Sequence, residues 1–466
     1  MDRTTVRART TRAAAALTAS AAALVAFSGA APAGATAAAG TGSAAPTAAS
    51  ASAVQVVPAS IGRTLISGLS KPTSTTVCEA QVHIRCYSPL QYRVAYDLNP
   101  LYRAGITGKG RTIVIVDSYG SPTIQRDLDV FDKQWGLPGT AVDVVKWGKV
   151  PAWNPKDSNQ TGWAGETTLD VEYAHAMAPG AKIVLVETAV NENEGTSGLP
   201  QMMSAEKYLI DHGVGDVISQ SWGATENTFP GFNKNGTPSL TSLRYAFTDA
   251  ESKHVTVLGA AGDVGSASET WSGGLYKFPA NSWPSSDPLV TSVGGSQLTL
   301  NNSGVRTAPD TVWNDGYGAG GGGWSWVFSR PSYQNGVANV VGSHRGTPDI
   351  SMSAAVNGGA WVYSSYMPGQ GWGIVGGTSE ATPIFSGIVA LADQKAGHRL
   401  GLINPELYAM GGSPSAAADG LVDITTGNNA FGGVRGSQAG PGYDLASGWG
   451  TIDGKLFVDA LAAHSR

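Results

Sequence analysis

Cysteine is nearly absent from the 466 residues: Cys78 and Cys86 are the only two, close together in "VCEAQVHIRC". Two isolated cysteines are too few for a zinc site without help from His83, and in an exported chain a local disulfide is the expected state. Charge is scarce too. Charged residues make up 14% of the chain and the formal net charge is -5, so no basic field exists to hold nucleic acid or anionic lipid, and neither partner is expected. The apolar stretch from about Ala13 to Phe27 is too short to span a membrane and ends in small residues. With an arginine-bearing head before it and Ala-x-Ala spacing near Ala31 to Ala37, residues 1–37 read as a secretory signal, the alternative being a disordered Ala-rich tail. Their removal takes away Arg3, Arg7, Arg9, Arg12 and Asp2, a net +3, and leaves the remainder at -8. The mature protein is expected to be secreted, extracellular, acidic and monomeric.

What is present is a long α/β pattern. Residues from about Ala38 to Ala53 are Ala, Ser, Thr, Gly and Pro without periodicity, which describes a linker. Beyond "YSPLQYRVAYDLNPLYRAGITGKG" the runs "RTIVIVD" (111–117), "KIVLVET" (182–188), "DVISQSW" (216–222) and "HVTVLGAAGD" (254–263) are nearly all apolar, as in strands buried on both faces. Between them, 166–178, 199–213 and 240–253 carry helical spacing. This alternation predicts a parallel sheet covered by helices on both faces. The stretch from about 264 to 345 is Gly-, Trp- and Ser-rich with weak periodicity, and is expected to form loops and short strands around a site.

In such a sheet, functional residues gather at the C-terminal ends of strands and at the helix starts that follow. Asp117 ends one apolar run, Asp263 another, and Ser379 in "GGTSEATP" opens a predicted helix. A serine nucleophile needs a base. Glu166 and Asp170 in "GETTLD" are four apart, so their carboxyls share a helical face and can share a proton, although such a pair standing alone reads as a solvated surface. His175 lies nine residues past Glu166, about two and a half turns along the same helix.

In order along the chain, "ETTLDVEYAHAMAPGAKI", "VISQSWG", "GAAGDVGS", "FPANSWPSSDPLVTSVGG", "GGTSEATP" and "VDITTGNN...GPGYDLASGWG" together resemble the sedolisins, the serine-carboxyl peptidases, over about residues 88 to 462. The resemblance implies a subtilisin-like fold and an acid-active peptidase with protein or peptide substrates. It makes Ser379 similar to the nucleophile, Glu166 to the general base, Asp170 to the partner that orients Glu166, and Asp263 to the acid that donates to the oxyanion. Asp117 and Trp222 match positions of an extended proton network; otherwise Asp117 caps a strand and Trp222 is core. None of the seven histidines sits in the His-Gly-Thr context of subtilisin-like enzymes. A carboxylate base works near its own acidic pKa, and an aspartate donates to an oxyanion only while protonated.

The resemblance also implies one structural calcium ion, with carboxylates from Asp423 and Asp444 and backbone carbonyls of Ile424, Gly440 and Gly442; hard oxygen donors on a glycine-rich loop suit calcium. The glycines of "GYGAGGGGWSW" (316–326) do not join a strand to a helix and lack a Gly-Lys-Ser end, which excludes a phosphate loop. Trp313, Trp324 and Trp326 either line peptide subsites or pack a loop. Sequons occur at Asn159, Asn235 and Asn301. The expected organisation is a signal (1–37), a short lead-in or pro-segment with a disulfide (38–87) and a sedolisin-like domain (88–466). Sedolisins carry a longer pro-domain, so deletion of 38–87 is expected to leave secretion and folding intact. Two other readings compete with the peptidase: a histidine-dependent serine peptidase, and a noncatalytic secreted binding protein on the same scaffold.

Overall fold

The computed structural model describes residues 69–192, 198–270 and 272–464. The signal and linker expectations, and the start of the lead-in, lie outside these residues. The first central strand, β1 (Thr112–Ser118), is followed by α1 (Ile124–Trp135), β2 (Val142–Trp147), α2 (Ser158–Met177), β3 (Lys182–Thr188), α3 (Leu199–Asp211), β4 (Val217–Gln220), α4 (Tyr245–Ser252) and β5 (Thr256–Ala260). Then come β6 (Thr291–Gln297), β7 (Thr311–Val312), β8 (Ile350–Ser353) and α5 (Thr378–Ala396).

The central sheet runs β7-β6-β5-β4-β1-β3-β2, with β8 also paired to β6. Every pairing is parallel except β7 on β6. Successive residues of β1 show why the run is apolar throughout. Ile113 and Ile115 face a layer with Leu169 of α2 and Ile384 and Ile388 of α5, while Val114 and Val116 face Met202, Met203 and Phe247 on the other side. Burial on both faces makes β1 continuous in hydrophobicity rather than alternating. β2 is an edge strand whose residues are exposed or half-buried, and its mixed sequence, VDVVKW, hid it from the apolar pattern.

β3 and β4 are consecutive strands yet lie on opposite sides of β1. This crossing is the place where an open parallel sheet leaves a crevice beyond its strand ends. α2 and α5 pack closely along one face: a Cβ added at Gly387 would stand 2.5 Å from the Met177 Cβ and 3.2 Å from the Ala174 carbonyl. Only a glycine allows that approach.

Cys78 and Cys86 are disulfide-bonded, as expected. Cys86 and Tyr87 pair in parallel with Gly359 and Ala360, and Cys78, Ile84, Cys86 and Tyr87 are buried in the main core. The deletion expectation is therefore corrected: removal of 38–87 strips a strand and four core side chains and is expected to cost stability.

Candidate active site

Ser379 reaches its place through a glycine turn. A Cβ at Gly376 would sit 2.8 Å from the Ala354 carbonyl, and Gly377, at φ 129°, donates its N–H to that carbonyl at 2.7 Å. The turn delivers Ser379, wholly buried, into the first turn of α5, where unpaired N–H groups and the helix dipole favour developing negative charge. Pro383 lies inside this helix. It has no N–H to give to the carbonyl four residues back, so the Ser379 carbonyl is left for another donor.

The Ser221 hydroxyl lies 3.4 Å from that carbonyl and gives its one proton to Asp170 Oδ1, at 2.9 Å. In return Ser379 Oγ lies 3.4 Å from the Ser221 carbonyl. One serine just past β4 thus joins the nucleophile's helix to Asp170 on α2. Glu166 is one turn earlier on α2 and, like Asp170, is almost wholly buried. Burial first, and then the charges of Asp117 and Glu166, hold the Asp170 carboxyl well above its usual pKa, against the bond from Ser221. Like charges this close disfavour double ionisation, so the group of carboxyls retains protons that isolated ones would lose.

Asp117, near the end of β1, accepts from Thr167 Oγ1 at 2.9 Å. Its pKa is pushed up to about 7, chiefly by desolvation, with the Thr167 bond opposing and Glu187 adding to the rise. Trp222 is fully buried, and its indole N–H donates to the Val116 carbonyl at 2.9 Å. It packs in the layer on the α3 side of the sheet.

Asp263 stands past β5, largely buried. Its Oδ1 accepts both the N–H of Thr378, at 2.7 Å, and the Thr378 hydroxyl, at 2.8 Å. Thr378 Oγ1 in turn accepts from Gly262 N–H at 3.0 Å. Two donors on Oδ1 fix it as the acceptor oxygen, so a proton on this carboxyl sits on Oδ2. Ser221 and Thr378 were not singled out in the sequence although both lie inside the quoted motifs, each next to an assigned residue.

His175 is engaged on the α1 side of its helix. It is buried against α1, with Nε2 at 2.9 Å from the Pro138 carbonyl and 3.3 Å from Asp132 Oδ1. This removes the support for His175 as the base. Trp313 is buried and packs against Gly295, whereas Trp324 and Trp326 are about half exposed and donate their indole N–H groups to the carbonyls of Val340 and Pro279.

Near the C-terminus, Asp423 Oδ2 accepts from Gly442 N–H at 2.8 Å and Asp444 Oδ2 from Gly440 N–H at 2.9 Å. Asp444 Oδ1 accepts from Ala446 and Ser447, and the Ser447 hydroxyl lies 3.5 Å from the Ile424 carbonyl. The five residues of the expected calcium set therefore meet around one loop. Desolvation raises the Asp444 pKa in spite of these bonds.

The subtilase family model matches residues 155–432. The chain is 34% identical to kumamolisin from Bacillus sp. (strain MN-32), over 80% of this chain and 63% of that protein. It is 30% identical to sedolisin from Pseudomonas sp. (strain 101), over 82% of this chain and 61% of that one. It thus spans less than two thirds of either relative's length. Among solved structures, that of Pseudomonas sedolisin, a serine-carboxyl proteinase complexed with two molecules of pseudo-iodotyrostatin, matches with a TM-score of 0.68 at 27% identity, covering 82% of this chain and 100% of that chain.

Proposed function

Because the chain belongs to the subtilase family, and within it to the sedolisins, we propose that it is a secreted serine-carboxyl endopeptidase acting on protein or peptide substrates at acidic pH. The observation that carries this reading is the convergence at one helix start: Asp170 is tied to Ser379 through Ser221, and Asp263 is tied to the preceding residue, Thr378.

Ser379 Oγ attacks the carbonyl carbon of the scissile bond while its proton passes to the Glu166 carboxylate. Asp170, one turn away and protonated more readily than an ordinary aspartate, orients Glu166 and shares that proton. Negative charge builds on the carbonyl oxygen, and the proton on Asp263 Oδ2 offers a hydrogen bond to it. Collapse of the tetrahedral species breaks the C–N bond; the amine leaves with the proton from Glu166, and an acyl group remains on Ser379. Water, losing its proton to Glu166, then attacks the ester and releases the acid. The two carboxyl roles bound the working pH from opposite sides: Asp263 must keep its proton, which acid favours, while Glu166 must be able to lose one, which sets the lower limit.

Asp423 and Asp444, with the carbonyls of Ile424, Gly440 and Gly442, form an all-oxygen set of the kind calcium takes. There the ion would offset two carboxylates and brace the loop. Export is supported by the signal-like residues 1–37 and the disulfide. The test is a peptide digest by purified protein beside a Ser379→Ala variant. A covalent acyl adduct on Ser379, detected by mass spectrometry after acid quench, is expected; cleavage that persists in the variant would refute the proposal.

A further inference from the structure

A cavity of about 700 Å³ lies at the C-terminal ends of β1, β2 and β3, the side on which open parallel sheets bind ligands. Its walls come from residues 119–126 at the start of α1, Lys146 on β2, residues 150–153 of the loop that follows, Gln160 on α2 and Glu187 on β3. None of the assigned catalytic residues lines it. Ser121 does, and although it is 4% exposed its hydroxyl has no hydrogen-bond partner among the described residues. A buried hydroxyl left in that state costs free energy and calls for a partner.

The other polar groups of the cavity suit an anion. α1 has twelve residues, and its cap residue, Thr123, makes no side-chain bond to the first-turn N–H groups. An uncapped helix start favours negative charge. Asp127 lies in that turn, but its carboxyl is taken up by the Thr123 hydroxyl, at 2.6 Å, and by the N–H and hydroxyl of Ser365. Two cations line the cavity: Arg126, which is exposed, and Lys146, whose side chain is 67% exposed. The one acid among the lining residues is Glu187, buried and 3.5 Å from Lys146. Desolvation raises its pKa against the pull of Lys146, so in acid it takes up a proton before an ordinary glutamate does and leaves both cations in excess.

Two paths tie the cavity to the candidate base. Gln160 stands six residues before Glu166 on α2, about 9 Å along the helix axis. Trp153 packs edge-on against Tyr366, with ring centroids 5.9 Å apart. The Tyr366 hydroxyl in turn lies so close to Gly165, the neighbour of Glu166, that a Cβ there would stand 3.0 Å from it. We infer that the cavity is a subsite for an acidic side chain, aspartate or glutamate, carried by the peptide substrate roughly two to four residues from the scissile bond. The inference rests on the peptidase reading. An extended peptide advances about 3.3 Å per residue, so a site about 9 Å from Glu166 lies about three residues from the bond that Glu166 serves. The incoming carboxylate supplies the counter-charge to Arg126 and Lys146 and the acceptor that the Ser121 hydroxyl lacks.

Binding can be read without turnover on full-length Ser379→Ala protein at about pH 5, where a free glutamate is mostly ionised. One peptide sequence, amidated at its C-terminus and free of other acids, is titrated with glutamate or glutamine placed in turn at each position around the cleavage point. At one position glutamate is expected to bind about fivefold tighter or better, and adding Arg126→Gln or Ser121→Ala should bring the ratio towards one. A glutamate-to-glutamine ratio within about twofold at every position, one that neither substitution moves, or equal weakening of both peptides would overturn the subsite. Arg126 is exposed, so Arg126→Gln still decides the matter if Ser121→Ala does not fold. Failure of wild-type protein to cleave any peptide is a separate result that removes the peptidase reading, while the binding ratio still decides the subsite.

Discussion

Thr378→Val tests how Asp263 is held. Valine keeps the branched shape of threonine but removes Oγ1, which donates to Asp263 Oδ1 at 2.8 Å and accepts from Gly262 N–H at 3.0 Å. The first loss leaves Oδ1 with the Thr378 N–H alone, so the carboxyl can rotate and its proton is no longer confined to Oδ2. The second strands a backbone N–H. Each neutral hydrogen bond contributes about 1 kcal/mol, so the fold should lose roughly 1–3 kcal/mol. If about 1–2 kcal/mol of oriented donation is also lost in the transition state, kcat falls about 5- to 30-fold. KM should change little, because Asp263 acts on charge that develops after binding. The assay compares kcat and KM of wild type, Thr378→Val and Thr378→Ser at acidic pH, with melting curves alongside. Thr378→Ser restores the hydroxyl and should recover most of kcat. A Thr378→Val enzyme within about twofold of wild type, or a serine variant as impaired as the valine one, would refute the argument.

Stability should fall as pH rises from acid to neutral. Burial raises Asp117 and Glu226 to about 7 and Glu206 and Asp393 to about 8. A folded pKa above the unfolded one means the native state binds more protons, so the contribution is fully present below the unfolded pKa, near 4, and is lost as pH climbs through about 7 to 8. Urea midpoints at about pH 5 should exceed those at about pH 8, and Asp117→Asn should flatten the slope; equal midpoints would contradict this. Gly387→Ala forces a methyl against Met177 and should cost about 1–3 kcal/mol, with a drop in kcat as α2 and α5 separate, measured by urea unfolding and by kinetics. A neutral substitution would mean the helices can move apart freely.

The sheet was readable where strands are covered on both sides, as in β1, β3, β4 and β5, because each residue there must be apolar. β2 escaped because the sheet edge exposes both Asp143 and Lys146. The helix expected at 240–253 is two pieces, Pro238–Thr241 and Tyr245–Ser252, since apolar spacing continues through a break that the backbone makes. Ser379, Glu166, Asp170 and Asp263 stood out through joined motifs; spacing alone left the Glu166 and Asp170 pair looking like a solvated face, whereas both are buried. Ser221 and Thr378 carried no such signal. A lone hydroxyl gains its role from groups 51 to 158 residues away in the case of Ser221 and 115 to 116 in the case of Thr378, which only the fold brings near.

The central claim is that a carboxylate, Glu166, takes the proton of Ser379. The most direct test is kcat/KM for one good peptide from about pH 2.5 to about pH 8, in wild type and in Glu166→Gln. The account predicts activity confined to the acidic side in wild type and lost by several orders of magnitude in Glu166→Gln. A rate maximum near neutral pH, or a Glu166→Gln enzyme that keeps wild-type turnover, would contradict it.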